Sequence, residues 1–284
     1  MSVFFRATST TQPKPDKICD SGFSSDVLVS GLSIQTKLSN SPAIGEGLVA
    51  HIAIGAVHLK ISVVIPVINE AQQLEQSVTR AWQSGAHEVV VVDGGSTDST
   101  QERAAELDCI LTCSPPGRAL QLNCGAKAAS GDVLLFLHAD NWLVADACEQ
   151  VEELFRTTVH RFGGFRQKIE NPRRAFRWIE SGNAFRLTRM GLIYGDQAMF
   201  VHRDLFHEVG GFPELELMED FEISRSLKSH GEPALLEGPT FVSARRWERV
   251  GLFRQTALNW CLSTAYRCGA SPAWIARRYR RHDK

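Results

Sequence analysis

The sequence predicts one α/β domain, a Rossmann-like and mainly parallel sheet flanked by helices, behind a disordered or weakly ordered N-terminal extension. Three observations carry this. Val89 to Val92 are four consecutive valines, and Val133-Leu134-Leu135-Phe136-Leu137 is an equally apolar run; runs without alternation belong to strands buried on both faces, as in a parallel sheet. Helical patterns separate such runs, as parallel crossovers require. Each run also closes on polar residues, Asp93 in one case and His138-Ala139-Asp140 in the other, at the strand ends where open α/β sheets bind ligands.

The elements follow in order. Ile61 to Ile65 reads as a buried strand. Asn69 is placed to cap the next helix, with Gln72 at the capping-box position, Leu74, Val78, Ala81 and Trp82 as its apolar stripe and Gly85 at its end. Glu88 to Val92 is the second strand; Gly94 and Gly95 then allow a ligand close to the backbone, and Ser96 or Ser99 can cap a helix running to Leu107. A short strand at Cys109 to Thr112, a Pro115-Pro116-Gly117 turn and a helix from Arg118 to Ala129 lead into the Val133 strand. A helix near Ala145 to Thr158 completes the alternating half. Beyond it, Gly163 to Ile169 and Gln197 to His202 read as strands, and Arg173 to Arg189 and Glu219 to His230 as helices. Gly251 to Arg267 reads as an amphipathic helix burying Leu252, Phe253, Ala257, Trp260, Cys261 and Thr264.

Composition bounds the function. The chain has 284 residues, 43% hydrophobic and 22% charged, enough for one large domain with a substantial core. A formal net charge of −1 gives no electrostatic reason to expect a nucleic-acid partner. The seven cysteines are scattered and form no C-x-x-C pair, so free thiols in a reducing compartment are expected rather than zinc or disulfides. The longest apolar run, Leu48 to Leu59, holds two histidines and is shorter than the roughly 18 residues of a spanning helix. No basic n-region or cleavage pattern marks a secretory signal, so the expected location is cytoplasmic.

Residues 1–58 are rich in Ser, Thr, Pro and Gly without a sustained period, a composition of disorder. Arg6, Lys14, Lys17 and Lys37 fit an organelle transit peptide, plastid import included, whereas Asp16, Asp20, Asp26 and Glu46 oppose one; a mis-assigned start would have the same composition.

Three acidic elements carry potential chemistry: Asp93, Asp140 and the pair Glu219-Asp220. A lone Asp after a strand is commonly a turn or cap residue, and acids in a helix's first turn are favoured by its dipole. Functionally, Asp93 suits a ribose hydroxyl or base N–H, a carboxylate such as Asp140 suits Mg²⁺ or Mn²⁺ bridged to substrate phosphates, and Glu219-Asp220 suits a general base. By themselves these residues leave both readings open.

The surrounding motifs resemble the family-2 glycosyltransferases of the GT-A fold, over residues 61–265. They run Ile61-Ser62-Val63-Val64-Ile65-Pro66-Val67-Ile68-Asn69-Glu70, Val92-Asp93-Gly94-Gly95-Ser96-Thr97-Asp98, Asn123-Cys124-Gly125-Ala126, His138-Ala139-Asp140, Gly210-Gly211-Phe212, Met218-Glu219-Asp220 and Arg245-Arg246-Trp247. Gly117-Arg118-Ala119-Leu120-Gln121, Tyr194-Gly195-Asp196-Gln197 and Ser243-Ala244-Arg245-Arg246-Trp247 more narrowly resemble a subfamily associated with arsenosugar biosynthesis.

The resemblance implies an inverting, metal-assisted transfer of a sugar, of hexosyl type, from a UDP- or GDP-sugar to a hydroxyl on a small-molecule or lipid acceptor. It implies a domain over 59–284, with a nucleotide half at 59–160, an acceptor half at 161–250 and C-terminal helices at 251–284. Pro66, Asn69, Glu70, Asp93, Gly94 and Gly95 would line the nucleotide site, with Arg118 near its base or diphosphate. Asp140 would hold Mg²⁺ or Mn²⁺. Asp220, beside Glu219, would deprotonate the acceptor. Asp196 and Gln197 would bond sugar or acceptor hydroxyls, and Arg246 and Trp247 would shape the diphosphate and acceptor side.

Two positions depart from the family pattern. His138 stands where an aspartate commonly precedes the metal ligand, and reads as a hydrogen-bonded strand-end residue. Ser243 replaces a glutamine that helps hold growing polymers, which argues for a single transfer per acceptor. Arg173-Arg174, Arg277-Arg278 and Arg280-Arg281 read as solvated helix faces; alternatively the C-terminal segment, with Trp260, Tyr266, Trp274 and Tyr279 among basic residues, touches an anionic membrane. Two rival functions are a catalytically silent nucleotide- or carbohydrate-binding protein and a sugar nucleotidyltransferase. The latter would carry a G-x-G-x-R loop where Pro66-Val67-Ile68-Asn69-Glu70 stands.

Overall fold

In one half of the sheet the strand order is 3-2-1-4, which reverses between the first and fourth strands, the kind of point at which open α/β sheets bind ligands. The computed structural model describes residues 58–281; the expected disorder of the N-terminal extension, its transit-peptide reading and Cys19 lie outside the described residues. β1 (Ile61–Val67), α1 (Leu74–Gln83), β2 (Glu88–Asp93), α2 (Thr100–Glu106), β3 (Ile110–Cys113), α3 (Arg118–Ala128) and β4 (Val133–Phe136) alternate, and these four strands are mutually parallel. Then come β5 (Asn141–Leu143), α4 (Ala147–Thr157), β6 (Phe162–Ile169), α5 (Arg174–Phe185), a π-helical turn at Arg186–Met190 and a 3₁₀ turn at Gly195–Gln197. β7 (Phe200–His202), α6 (Arg203–Glu208), α7 (Glu219–Lys228), β8 (Ala234–Val242), α8 (Arg245–Val250), α9 (Leu252–Arg267) and α10 (Pro272–Arg281) complete the chain.

One eight-stranded sheet results, in the order β3-β2-β1-β4-β7-β6-β8-β5. Its two faces are covered by different helices. Val63, Ile65, Val89, Val91 and Leu135 pack with Leu74 and Val78 of α1 and Val151 of α4. Their neighbours Val64, Val90, Val92, Leu134 and Phe136 pack with Ala119, Leu122 and Ala126 of α3. Alternate residues thus point to opposite apolar layers, which is why the valine run shows no alternation in sequence. Gly125 lets α3 approach closely: a Cβ there would stand 2.3 Å from Val64 Cγ1 and 2.8 Å from Val92 Cγ2.

The second half is mixed: β7 is antiparallel to β4 and β6, β8 is parallel to β6, and β5 is antiparallel to β8. Neither β5 nor β8 is evident in the sequence. Glu237-Gly238-Pro239 interrupts β8 at the register shift opposite Phe165 to Gln167, where a bulge accepts the proline. The expected strand from Gln197 shortens to Phe200–His202, because Gly195–Gln197 forms the 3₁₀ turn.

Three expectations are corrected. Asn69 does not cap α1, which begins at Leu74 without a side-chain cap; its side-chain Oδ1 instead accepts from the Thr97 amide at 2.8 Å. Neither Ser96 nor Ser99 caps α2: Ser99 makes no cap bond, Ser96 bonds Asp93, and Asp98 accepts from the Thr100 amide at 3.0 Å. α9 also turns the opposite way from the amphipathic reading. Gln255 and Leu262 face inward, whereas Phe253 and Trp260 are 84% and 72% exposed. Among the described residues, six cysteines are free thiols and no helix is long and apolar enough to cross a membrane.

Candidate active site

The loops after β1 and β2 are hydrogen-bonded into one unit. Asn69, at φ 55°, donates its amide to Ser96 Oγ at 2.8 Å and accepts from Thr97; the Glu70 amide donates to Thr100 Oγ1 at 3.0 Å. Asp93 is fully buried at the end of β2. Its carboxylate accepts from the amides of Gly95 and Ser96 at 3.0 Å, from Gln101 Nε2 at 2.7 Å and from Ser96 Oγ. Burial alone would raise this carboxyl, but those bonds outweigh it and hold it below the usual carboxylate range. Gly95 sits at φ 92° with open space around it, and Pro66 is the penultimate residue of β1. A Cβ on Gly94 would stand 2.7 Å from Gln121 Cδ. Gln121 in turn donates to the carbonyls of Val67 and Val92 at 2.8 and 3.0 Å, closing the strand tips.

Asp140 lies in the turn from β4 to β5. The Asn141 amide donates to the His138 carbonyl at 3.0 Å and Ser77 Oγ to the Ala139 carbonyl at 2.5 Å. The turn borders a cavity of about 290 Å³ lined by Gln73, Arg80, Asp140, Glu170, Ser243 and Arg245, among others. Arg80 stacks over Trp142 at 4.1 Å, and Trp142 on Phe241 at 5.5 Å. Burial and then the charge of Asp140 raise the Glu70 carboxyl, with Arg245 opposing. Asp140, Glu170, Arg80 and Arg245 thus line this cavity, with the Glu70 carboxyl within electrostatic reach of Asp140 and Arg245.

Asp220 sits in the first turn of α7, which starts after Met218 at φ 76°. Its Oδ2 accepts from the Gly195 amide at 2.8 Å. Arg118, at the start of α3, reaches Glu219 at 3.3 Å and Asp220 at 3.9 Å. Burial first, then the Glu219 charge, push the Asp220 carboxyl up to about 7, against Arg118 and the Gly195 amide. A Cβ on Gly195 would stand 2.2 Å from His138 Nε2 and 3.1 Å from Asp220 Oδ2. His138 and Asp220 also line one void of about 10 Å³, close to the size of a single water.

A buried polar network adjoins Asp220, and sequence reasoning missed its central member, Arg186. The guanidinium donates to Asn183 and Gln197 at 2.8 Å each and stacks over Tyr194 at 3.6 Å. Gln167 donates to Asp196 at 2.7 Å and accepts from Asn183 at 2.5 Å. Arg186 Nε, Asp196 Oδ1 and Gln197 Nε2 are buried without a partner among the described residues. Burial lowers the Arg186 pKa, with Asp196 the leading opposing charge. In the sequence only Asp196 and Gln197 of this network stand out; in the structure a π-turn, a geometry common at functional sites, marks Arg186.

The expected residues thus fall into three groups along one sheet edge. Asp93, Gly94, Gly95 and Asn69 form the nucleotide-side loops. Asp140 lines the larger cavity with Arg245, and the Glu70 carboxyl feels the charge of both. Asp220 lines the smaller void with His138, Arg118 lies beside Asp220 and Glu219, and Asp196 and Gln197 belong to the adjoining network; His138, two residues before Asp140, stands between the last two groups. Asp93 lines neither of these two cavities. Trp247 packs edge-on against Phe176 at 5.9 Å in a small apolar cluster, with its indole Nε1 buried without a partner among the described residues. The Arg246 side chain lies outside the described residues.

Comparison with known proteins identifies the family of the chain. The sequence model of glycosyl transferase family 2 matches residues 62–210. The chain is 38% identical over 91 residues to a dolichol-phosphate mannosyltransferase of Pyrococcus furiosus, covering 29% of this chain and 26% of that protein. It is 25% identical over 176 residues to glycosyltransferase AglE of Haloferax volcanii, covering 54% and 56%. The matches therefore span between about a quarter and just over half of those relatives' length. Among solved structures, S. aureus TarS superposes with a TM-score of 0.53 at 19% identity over 65% of this chain and 37% of that one. Its 1–349 fragment in complex with UDP-GlcNAc gives 0.51 at 18% identity, over 65% and 58%. These structural likenesses bear on the fold, while the family match spans the strands and loops that carry Asp93, Asp140 and Gly195. The chain is a member of glycosyltransferase family 2.

Proposed function

We propose that this chain transfers a sugar, of hexosyl type, from a nucleotide-sugar to a hydroxyl acceptor with inversion, and that Asp220 is the general base. The observation that carries the reading is the state of that carboxyl. Partly buried, anchored by the Gly195 amide and raised to about 7, it combines a fixed position with a proton affinity suited to work near neutrality. In the step, the acceptor O–H proton passes to the Asp220 carboxylate and the acceptor oxygen bonds the anomeric carbon. The bond from that carbon to the diphosphate oxygen breaks, and its electron pair leaves with the nucleoside diphosphate. Arg118, held beside Glu219, keeps a positive charge at the site as negative charge moves onto the leaving group.

The donor is read as a UDP- or GDP-sugar. The paired loops of Asn69-Glu70 and Asp93-Gly94-Gly95 support this: they are rigid, glycine-containing and set at the tips of β1 and β2. The TarS fragment is known in complexes with UDP and with UDP-GlcNAc, which also supports it. The donor set at Asp140 fits Mg²⁺ or Mn²⁺. Its carboxylate borders an open polar cavity with the Glu70 carboxyl electrostatically close. Hard divalent cations accept one or two protein carboxylates with phosphate and water as further ligands. Such an ion would offset the charge of the departing diphosphate. The narrower resemblance to glycosyltransferases associated with arsenosugar biosynthesis rests on Gly117 to Gln121, Tyr194 to Gln197 and Ser243 to Trp247; of these, Arg118 and the Gly195 amide reach the Asp220 carboxylate, whereas Trp247 packs in an apolar cluster.

The test is a thermal-shift screen of UDP-, GDP- and dTDP-sugars with and without Mn²⁺, followed by hydrolysis assays on the donors that bind. A metal-enhanced shift with one nucleotide class, and release of its nucleoside diphosphate, is the expected result. Binding without any turnover would instead favour a silent nucleotide-binding protein.

A further inference from the structure

The outward face of α9 and α10 has no role in the site above, and its chemistry is unusual for this chain. Phe253, Ala257, Trp260, Cys261 and Thr264 are all exposed, at helical spacings that put them on one stripe of α9. The helix is about 24 Å long, and Arg254 and Arg267, both exposed, stand near its two ends. α10 is anchored by buried Ile275 and Ala276 and exposes Trp274, Arg277 and Arg278, which share a face at i, i+3 and i+4. The Arg278 guanidinium lies 4.7 Å from the centre of the Trp274 ring. From Gly251 to Arg281 the sequence holds six arginines and no Asp or Glu, in a chain whose net charge is −1.

We infer that the exposed aromatic stripe of α9, with the basic face of α10, docks on the surface of an anionic lipid bilayer. Tryptophan and phenylalanine on one side of a surface helix, with arginines around them, match the boundary between headgroups and acyl chains. Arginine stems can lie on apolar surface while their guanidinium groups reach the lipid phosphates. Charge also selects among occupants. In a symmetric pair of copies the same basic, acid-free face would meet itself, and like charges would repel. A bilayer rich in anionic headgroups complements it. The opposite face of α9 contacts the site, through Ser263 with the Tyr194 hydroxyl at 3.2 Å and Tyr266 with Glu222 at 2.7 Å. Docking would therefore hold the Asp196 loop beside the membrane surface.

The test is flotation of the full chain with vesicles of phosphatidylcholine alone or with an equal share of phosphatidylglycerol, at low and high salt. Expected is recovery with the anionic vesicles only, weakened by salt, with a blue shift of tryptophan emission. Phe253→Ala with Trp260→Ala should lower the partition coefficient by about tenfold or more, and Arg277→Glu with Arg278→Glu should remove the lipid charge dependence. All four side chains are exposed, so circular dichroism and melting should be unchanged. Failure to float with anionic vesicles, or equal flotation of the aromatic double variant, would overturn the inference. So would a stable dimer that this double variant dissociates, which would assign the face to a second copy. None of these outcomes bears on whether Asp220 is the base.

Discussion

His138 and Asp220 close on the same glycine: a Cβ built on Gly195 would fall 2.2 Å from His138 Nε2 and 3.1 Å from Asp220 Oδ2. The residue between them can only be glycine if both side chains keep their places. The histidine that departs from the family's acidic pattern is thereby given a location, against the loop that anchors the proposed base.

Gly195→Ala should therefore injure catalysis more than stability. The new methyl must displace His138 or the Asp220 carboxylate, and misplacement of a reacting group by about 1 Å can cost about 100-fold in rate. We expect kcat to fall on that order in donor hydrolysis, with nucleotide binding by thermal shift retained.

The raised Asp220 carboxyl has a consequence for folding. Its ordinary pKa is 3.8 and its folded value about 7, so between those values the folded chain holds a proton that the unfolded chain has released. Stability then falls as pH rises through this window, and the penalty is complete above about 7. Asp220→Asn removes the penalty while keeping an acceptor for the Gly195 amide. It should melt higher than the wild type above pH 7, by about 2–4 kcal/mol in unfolding free energy, and show no gain below about pH 4. Denaturant melts at the two pH values check this.

Asp93 makes the opposite prediction. Its carboxylate serves two amides, one side-chain amide and one hydroxyl. Asp93→Asn replaces one oxygen by a donor facing donors and should destabilise the chain by about 2–4 kcal/mol. Because the lowered carboxyl favours the folded state above its unfolded pKa, wild-type stability should also drop as pH falls below about 4. An unchanged melting curve for the variant would show that these bonds contribute little.

Gly125→Ala tests the packing that aligns the site. Its Cβ would meet Val64 and Val92 at under 3 Å, so α3 must move off the sheet and carry Arg118 with it. A loss of about 1–3 kcal/mol should accompany a weaker Arg118 contact, seen as a higher apparent pKa in the pH dependence of stability that Asp220 dominates, because the Arg118 charge holds that carboxyl down.

What could be read from the sequence follows physical lines. Buried parallel strands have no alternation, so β1, β2 and β4 and the acids at their tips stood out at once. β8 did not, because Gly238-Pro239 breaks its pattern and only the bulge beside β6 accommodates them. α9 carries apolar residues around its circumference, Leu258 and Leu262 as well as Phe253 and Trp260, so periodicity could not say which side faces inward. The Asn69 pattern fits a helix cap, yet the tertiary bond to Thr97 prevails. The Arg186 network joins residues at 167, 183, 186, 196 and 197, and no local pattern links those positions.

The most direct test of the proposed base is donor hydrolysis by wild type and Asp220→Asn, measured across pH with the nucleotide-sugar that binds best. The account predicts a wild-type rate that rises with pH to a plateau above about 7, and an Asp220→Asn variant that binds the nucleotide as tightly but turns over at least about 100-fold more slowly. Equal turnover by the variant, with the same pH profile, would contradict it.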